Sequence, residues 1–153
     1  MFETPITVVG RIITDPRRRV VAGQEVISFR VASNSRRRTT DGTWEPGNSL
    51  FITVNCWGRL VTGVGAGLYK GAAVIAVGTV HTSEYEDRDG AKRSSLEMRA
   101  TAVGPDLARV IARIEQPGQP QNSPVTDATG DDTVDAEGGE QADSEELVLG
   151  APA

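Results

Sequence analysis

From residue 6 to residue 103, β-branched and aromatic residues alternate with polar ones, and Gly, Asp and Pro interrupt the alternation at intervals. A period of two places successive side chains on opposite faces of a strand, whereas a helix needs apolar residues three and four positions apart. The pattern therefore predicts an all-β domain in which each strand buries one face. Five strands are predicted, at residues 4–13, 26–34, 50–57, 72–85 and 92–103.

Turn signals separate these strands. Residues 14–16 (Thr-Asp-Pro) end the first strand, because proline cannot donate a hydrogen bond to the ladder. Residues 36–48 are expected to form a polar loop around the Asp41-Gly42 turn signal, and residues 87–90 (Asp-Arg-Asp-Gly) predict a hairpin between the fourth and fifth strands.

Two segments have helical spacing. Between the third and fourth strands, apolar residues at 60, 61, 64 and 68 predict a helix that three glycines keep short or distorted, since each costs ~1 kcal/mol relative to Ala. A second helix is expected to start at Pro105 and to use Leu107, Val110, Ile111 and Ile114. Five strands with a helix between the third and fourth is the element order of an OB-fold, a partly open barrel whose faces and loops bind oligonucleotides.

Charge divides the chain into two segments. Residues 1–115 contain all 16 Lys and Arg and have a net charge of +4, whereas residues 116–153 contain no cation and have a net charge of −9, which together give the −5 of the whole chain. The acidic segment has too few large apolar residues to order itself. We therefore predict a folded domain over 1–115 and a disordered acidic tail over 116–153. Because the domain itself is basic, the negative charge of the whole chain does not exclude a polyanionic ligand.

Catalysis, metal binding and membrane insertion have little support. Cys56 is the only cysteine and His81 the only histidine, so neither an intramolecular disulfide nor a Cys/His ligand cluster can form, and no P-loop lysine is present. The longest apolar run, residues 72–77, is too short to span a bilayer, and the N-terminus lacks the features of a signal peptide. We expect a cytoplasmic, non-catalytic protein without metal or cofactor.

The third predicted strand carries the most informative residues. Alternation directs Ile52, Val54 and Cys56 to the core, and it directs Phe51, Thr53, Asn55 and Trp57 to the opposite face. An aromatic ring exposed beside polar neighbours can stack on a nucleobase, and such stacking tolerates any base. The alternative is that both rings are ordinary surface or interface aromatics.

Basic residues surround this strand in the sequence and can follow a phosphate backbone. The set comprises Arg36, Arg37, Arg38, Arg59, Lys70, Arg88, Lys92 and Arg93. A solvated loop is the alternative for such a charge run, and the role of a second triplet, Arg17 to Arg19, stays open. Tyr85, at the end of the fourth strand, and Trp44, in the arginine-containing loop, are further candidates for stacking, although each can equally be a packing residue of its own hairpin or loop.

Over about residues 4–107 the sequence resembles the bacterial single-stranded DNA-binding proteins. The matching segments are Ile6 to Arg11 with Asp15-Pro16, Phe29 to Ala32, residues 50–60, Lys70-Gly71, and residues 74–78, 85–90 and 97–105. The resemblance implies an OB-fold homotetramer that wraps single-stranded DNA without sequence preference, needs no cofactor, and acts in replication, recombination or repair at the nucleoid.

The resemblance also implies roles for individual residues. Phe51, Trp57 and Tyr85 match aromatic stacking positions of the family, and Arg59 and Lys70 match cations that contact the DNA backbone. Arg36 stands where the family commonly has a further aromatic residue, and a guanidinium there can still stack or pair with phosphate.

The C-terminal segment departs from the family pattern. The family usually ends in an acidic peptide closed by Pro-Phe, which docks replication and repair enzymes, whereas here Glu145-Glu146 precedes Leu-Val-Leu-Gly-Ala-Pro-Ala. Whether this tail recruits such proteins therefore stays open. The sequence is rich in Arg, Ala, Val and Gly and has an altered ending. In both respects it resembles a second, non-housekeeping paralogue of the family in an actinobacterium.

Two alternative functions remain at this point. The domain can be chiefly an interaction scaffold whose tail docks a protein partner, in which case the tail carries the function. It can also bind RNA, since stacking and charge do not distinguish the 2′-hydroxyl.

Overall fold

The computed structural model describes residues 1–117. Six strands and one helix follow one another as β1 (Thr4–Ile12), β2 (Arg17–Val21), β3 (Gln24–Arg38), β4 (Trp44–Trp57), α1 (Arg59–Gly67), β5 (Ala73–Glu86) and β6 (Lys92–Pro105). The strands are ordered β1-β5-β6-β4-β3, and β1 also pairs with β3, so these five strands close into a ring. Only β4 and β6 run parallel. The predicted five-stranded OB-fold barrel with one short helix is confirmed.

Inward-facing residues of the ring form the core, as the alternation predicts. Phe29, Ile52, Val54 and Met98 are buried almost completely, and Val61 and Val64 of α1 are packed into the same cluster. The helix is nine residues long, consistent with the glycine content that limits it.

Two glycines allow the barrel strands to approach closely. A Cβ at Gly10 would overlap the carbonyl oxygen of Ala32, where β1 passes from β5 to β3. A Cβ at Gly78 would overlap the carbonyl oxygen of Arg99, beside the irregularity in the β5–β6 pairing. Barrel closure needs such bends, and only glycine fits where backbones come this near.

Strand β2 was absent from the sequence-based prediction. It pairs with β3 from Arg17 opposite Ser28 to Val21 opposite Gln24, through a turn in which Ala22 and Gly23 both have positive φ. All five of its residues are exposed, because β2 lies at the sheet edge outside the ring. A strand without a buried face has no alternation to reveal it.

The expected polar loop over residues 36–48 is also wrong. The β3–β4 ladder continues to Arg38 opposite Trp44, and the Thr39 N–H donates to the Thr43 carbonyl at 2.8 Å to close the turn. The Asp41 carboxylate accepts hydrogen bonds from the Thr39 and Thr43 hydroxyls. Residues 34–49 are therefore a hairpin that extends from the barrel, here called the first arm.

The second predicted helix does not form among the described residues. After β6, the Val110 N–H donates to the Asp106 carbonyl at 3.1 Å in a single turn. Ile111 and Ile114 are 99% and 95% exposed, so neither side chain packs on the barrel, and short helices without packing are marginal.

The predicted domain boundary at residue 115 stays a prediction. One compact unit covers Met1–Ile114. Of the predicted disordered acidic tail, residues 118–153 lie outside the described residues.

Candidate nucleic-acid interface

Side chains that point away from the core on β3, β4, β6 and β5 form one continuous surface, here called the outer face. Strand register arranges them in rows. One row is Arg30, Thr53, Glu97 and His81. The next row is Ser28, Asn55, Arg99 and Thr79. Along β4, Phe51 precedes the first row and Trp57 follows the second, so the two rings flank a strip of polar and charged groups.

The two rings on β4 each have a guanidinium nearby. Phe51 is 47% exposed, and the Arg30 guanidinium carbon lies 5.7 Å from its ring centroid. Trp57 is half-buried, with the Arg99 guanidinium carbon 5.9 Å from its ring centroid. Arg30 and Arg99 were not among the predicted site residues. Alternation in the second predicted strand marks Arg30 as outward, whereas the place of Arg99 beside Trp57 depends on the β4–β6 pairing.

Strand β2 extends the outer face by one strand. Arg17 lies opposite Ser28, and Arg19 lies opposite Val26, which in turn lies opposite Trp57. Arg17 and Arg19 are therefore on the outer face, whereas the Arg18 guanidinium lies against Gly65 of α1 on the other side. The arginine triplet left open by the sequence is divided between two surfaces.

A chain of polar contacts crosses the centre of the outer face. The Ser28 hydroxyl donates to Asn55 Oδ1 at 2.6 Å, and Asn55 Nδ2 donates to Glu97 Oε2 at 3.2 Å. His81 Nε2 lies 3.7 Å from the same Glu97 oxygen. Asn55 is only 8% exposed, so the chain holds the Glu97 carboxylate in a defined position. Sequence reasoning left Glu97 out, since it contacts Asn55 across 42 residues.

The first arm carries four predicted site residues. Its pairing passes from Asn34 opposite Ser49 to Arg36 opposite Pro46, so β4 has one extra residue there, a β-bulge. Because of that extra residue, Trp44 follows the side of Arg36 and Arg38 and continues the outer face. Trp44 is 62% exposed.

Arg37 points to the other side of the first arm. Its Nε lies 2.6 Å from Glu45 Oε1, which forms a salt bridge between two exposed side chains. The structure therefore separates Arg37 from Arg36 and Arg38.

The β5–β6 hairpin over residues 83–95, here called the second arm, carries Tyr85, Arg88, Lys92 and Arg93. Tyr85 lies opposite Arg93 and continues the outer face from His81 and Ser83, and it is 54% exposed.

Asp87 organises the turn of the second arm. Its carboxylate accepts from the Asp89 and Ala91 N–H groups, each at 3.0 Å, and from Arg93 Nε at 2.9 Å. These hydrogen bonds lower the pKa of Asp87 below its ordinary value. The bond from Arg93 has the largest effect, and the bond from the Ala91 N–H is second. Arg93 is thus held by Asp87, while Arg88 and Lys92 are exposed.

Arg59 and Lys70 lie apart from the rows. Arg59 is the first residue of α1, after Gly58 with φ 61°, and it lies beside a groove between α1, the end of β6 and residues 110–113. Lys70 is exposed in the turn between α1 and β5, where the Gly71 N–H donates to the Ile12 carbonyl at 2.7 Å. Both cations are at the end of the barrel that α1 covers.

The described part of the chain shows neither a reactive thiol nor a cluster of metal ligands. Burial raises the pKa of the Cys56 thiol to about 12, which keeps the sulfur protonated and inert. Residues 1–117 contain no group of three or more His, Cys, Asp or Glu able to hold a metal ion. Within the same residues, no helix has the length and apolarity needed to cross a membrane.

Comparison with known proteins identifies similar sequences and structures. A family model, the single-strand binding protein family, matches residues 4–106. A single-stranded DNA-binding protein of Corynebacterium glutamicum is 41% identical over 125 residues, covering 79% of this chain and 55% of that protein. Single-stranded DNA-binding protein 2 of Streptomyces coelicolor is 39% identical over 116 residues, covering 73% and 57%. The chain thus spans little more than half the length of these curated relatives.

A solved structure has the same architecture. The second single-stranded DNA-binding protein (SSBb) of Mycobacterium smegmatis is 54% identical, with a TM-score of 0.58, over 75% of this chain and all of that chain.

Proposed function

Because the chain belongs to the single-strand binding protein family, we propose that it binds single-stranded DNA on the outer face, non-catalytically and without requiring a particular sequence. The observation that carries the proposal is the pair of rings on β4. Phe51 and Trp57 flank a strip of polar groups, and each ring has a guanidinium within 6 Å of its centroid. Every base has a flat π-face, so two such rings can bind successive parts of any strand.

Cations on both sides of the rings favour a polyanionic ligand. Arg17 and Arg19 extend the outer face along β2, and Arg36 and Arg38 extend it along the first arm. A backbone bound by these groups releases counterions, so binding weakens as salt rises. Arg59 and Lys70 are proposed to contact the phosphate backbone of the DNA where the DNA strand continues toward the α1 end of the barrel.

The first test replaces Trp57 with Ala. Loss of one stacked base costs ~1–3 kcal/mol, and we expect the affinity for an oligo-dT to fall about 5-fold to 160-fold. Quenching of tryptophan fluorescence on binding should also fall, because Trp44 would be the one remaining reporter. Fluorescence titration over a range of salt concentrations measures both effects.

The matched control is Phe2→Ala, since Phe2 is an aromatic residue exposed at the N-terminus and outside the outer face. Thermal unfolding of both variants shows whether the barrel is intact. An unchanged oligo-dT affinity in a folded Trp57→Ala protein contradicts the stacking assignment. Competition between matched DNA and RNA oligomers tests the choice of DNA.

A homotetramer is proposed as the binding form. It is supported by exposed apolar residues on neighbouring strands β1 and β5. Val9 is opposite Ile75, and Val77 lies two residues farther along β5, and all three are 37–43% exposed. Exposed apolar patches of this kind mark contacts between proteins. Mass in solution, measured with and without a long dT oligomer, tests assembly and binding together.

We also propose a cytoplasmic, nucleoid-associated role in replication, recombination or repair. This follows from the ligand, since these processes produce single-stranded DNA. The acidic segment 116–153 is proposed to bind replication or recombination proteins. Its deletion should then leave DNA affinity intact while abolishing their binding.

A further inference from the structure

Glu97 places a negative charge in the middle of a surface proposed to bind a polyanion. Its side chain is 28% exposed, and its one salt-bridge partner among the described residues is His81 at 3.7 Å. The neighbouring guanidiniums of Arg30 and Arg99 lie over aromatic rings. A carboxylate so placed repels phosphate, which weakens binding. A favourable contact between the carboxylate and another part of the ligand would offset that repulsion.

The carboxylate has one oxygen occupied and one free. Asn55 Nδ2 donates to Oε2, and Asn55 is itself held by the Ser28 hydroxyl. No described residue donates a hydrogen bond to Oε1. The side chain is thus oriented by the protein and retains an unused acceptor on a surface open to ligand.

Glu97 also lies beside the interval between the two rings. It is opposite Thr53 on β4, with Phe51 two residues to one side and Trp57 four residues to the other. At about 3.3 Å per residue, the two ring positions are roughly 7 and 13 Å from Thr53 along the strand. In the proposed binding mode, a DNA strand that stacks on both rings would place its intervening bases beside the Thr53–Glu97 pair.

We propose that Glu97 discriminates among bases by accepting a hydrogen bond from an exocyclic amino group, which rests on the proposed binding of single-stranded DNA to this face. Cytosine, adenine and guanine carry such donors, and a carboxylate accepting from cytosine N4 is a known pairing. Uracil and thymine have a carbonyl at position 4, which the carboxylate repels. Their N3–H group lies between two carbonyl oxygens, so it is a poor substitute.

Oligomers of deoxycytidine and deoxyuridine isolate this effect when compared at slightly alkaline pH. The two bases then differ chiefly at position 4, which is an amino group in cytosine and a carbonyl in uracil, and at N3, which accepts a hydrogen bond in cytosine and donates one in uracil. The test variant is Glu97→Gln. In that variant the Gln carbonyl accepts the Asn55 N–H, which leaves the amide NH₂ as a donor toward the ligand. The preference should therefore move toward deoxyuridine.

We expect Glu97→Gln to lower the ratio of dC to dU affinity by roughly threefold to tenfold, about the worth of one hydrogen bond per protomer. The matched control is Glu84→Gln, which removes the same charge from the second arm, one residue before Tyr85 and on the side away from the outer face. That control should leave the ratio unchanged. Thermal unfolding confirms that both variants are folded.

Each result decides between distinct possibilities. An equal rise in affinity for dC and dU in Glu97→Gln overturns the proposal, because Glu97 then acts only as a repulsive charge. An unchanged ratio overturns it as well. Failure of the wild-type protein to bind either oligomer instead refutes the proposed function. A shift toward dU in Glu97→Gln, with none in Glu84→Gln, supports the acceptor role.

Discussion

The first arm and the second arm both extend a pair of barrel strands and end in a tight turn around one aspartate. Asp41 accepts from the Thr39 and Thr43 hydroxyls, and Asp87 accepts from two backbone N–H groups and Arg93. Each arm also presents an exposed aromatic residue, Trp44 on the first and Tyr85 on the second.

The arms differ in pairing and in charge. The first arm has a bulge between its tip and the barrel, whereas the second pairs regularly from Gly78 opposite Ala100 to Glu86 opposite Lys92. The first arm carries three arginines against two carboxylates, and the second carries three cations against four carboxylates. Similar hairpins therefore differ in net charge, so we expect the first arm to contribute more than the second to contacts with phosphate groups.

The largest expected difference is in the salt dependence of DNA binding. Replacing Arg36 and Arg38 together with Ala removes two cations from the outer-face side of the first arm. Each lost phosphate contact on a single strand lowers the slope of log K against log salt by about 0.7, so the double variant should lose about 1.4. Titrations with oligo-dT at several salt concentrations measure the slope.

The matched variant on the second arm replaces Arg88 and Lys92 with Ala. These cations are exposed but have four carboxylates on the same hairpin, so the slope should fall by less than in the first-arm variant. Equal losses would show that the charge difference between the arms does not affect binding.

The sequence predicted the barrel more fully than the arms. The reason is that burial of one strand face produces an alternation of apolar and polar residues, and the arms lack such a buried face. Phe29, Ile52 and Val54 alternate with outward residues because one side of each strand is buried, and the same alternation identified Phe51 and Trp57. In the first arm both sides are exposed, and the extra residue near Gly47 breaks the period. An exposed, bulged hairpin therefore has the same sequence appearance as a polar loop.

Contacts between distant strands were beyond the sequence for a different reason. Asn55 was placed on the outer face correctly, but its donor bond to Glu97 depends on the parallel pairing of β4 with β6. No local pattern specifies which strands become neighbours. The helical spacing after Pro105 was misleading, since Ile111 and Ile114 are exposed and do not pack on the barrel.

Glycine substitutions should also distinguish the two arms, through changes in the local stability of each hairpin that are smaller than the expected changes in DNA binding. Gly47 lies in the bulge, where a Cβ would come 2.5 Å from Ser35 Oγ and 3.3 Å from its carbonyl oxygen. Gly90, in the turn of the second arm, has φ 76° and free space for a Cβ. The first glycine is needed for space and the second for backbone conformation.

Asparagine distinguishes these requirements, because it adopts positive φ more readily than alanine. We expect Gly90→Asn to be tolerated better than Gly90→Ala, whose left-handed conformation costs about 1–2 kcal/mol. At Gly47, Asn should disturb the arm at least as much as Ala. Amide hydrogen exchange across each arm reports the effect, and rescue of Gly47 by Asn would contradict the steric explanation.

The smallest expected effect concerns the two turn aspartates. Hydrogen bonds from the Thr39 and Thr43 hydroxyls lower the pKa of Asp41, and the Arg93 hydrogen bond is the chief cause that lowers the pKa of Asp87. A carboxyl whose pKa is lowered by folding stabilises the folded turn above its ordinary pKa and loses that contribution as pH falls through the lowered value. Both turns should therefore weaken only in acid, below about pH 4.

Salt should separate the two aspartates, because it screens a guanidinium charge and leaves a neutral hydroxyl unaffected. At 1 M salt the screening length is about 3 Å, so the pKa of Asp87 should rise toward its ordinary value while that of Asp41 stays nearly constant. Carboxyl ¹³C NMR titrations at low and high salt measure both groups in one sample. Arg93→Gln serves as the control, since it should remove the salt dependence at Asp87 alone, and an equal shift at both aspartates would mean that the two turns are held by the same kind of interaction.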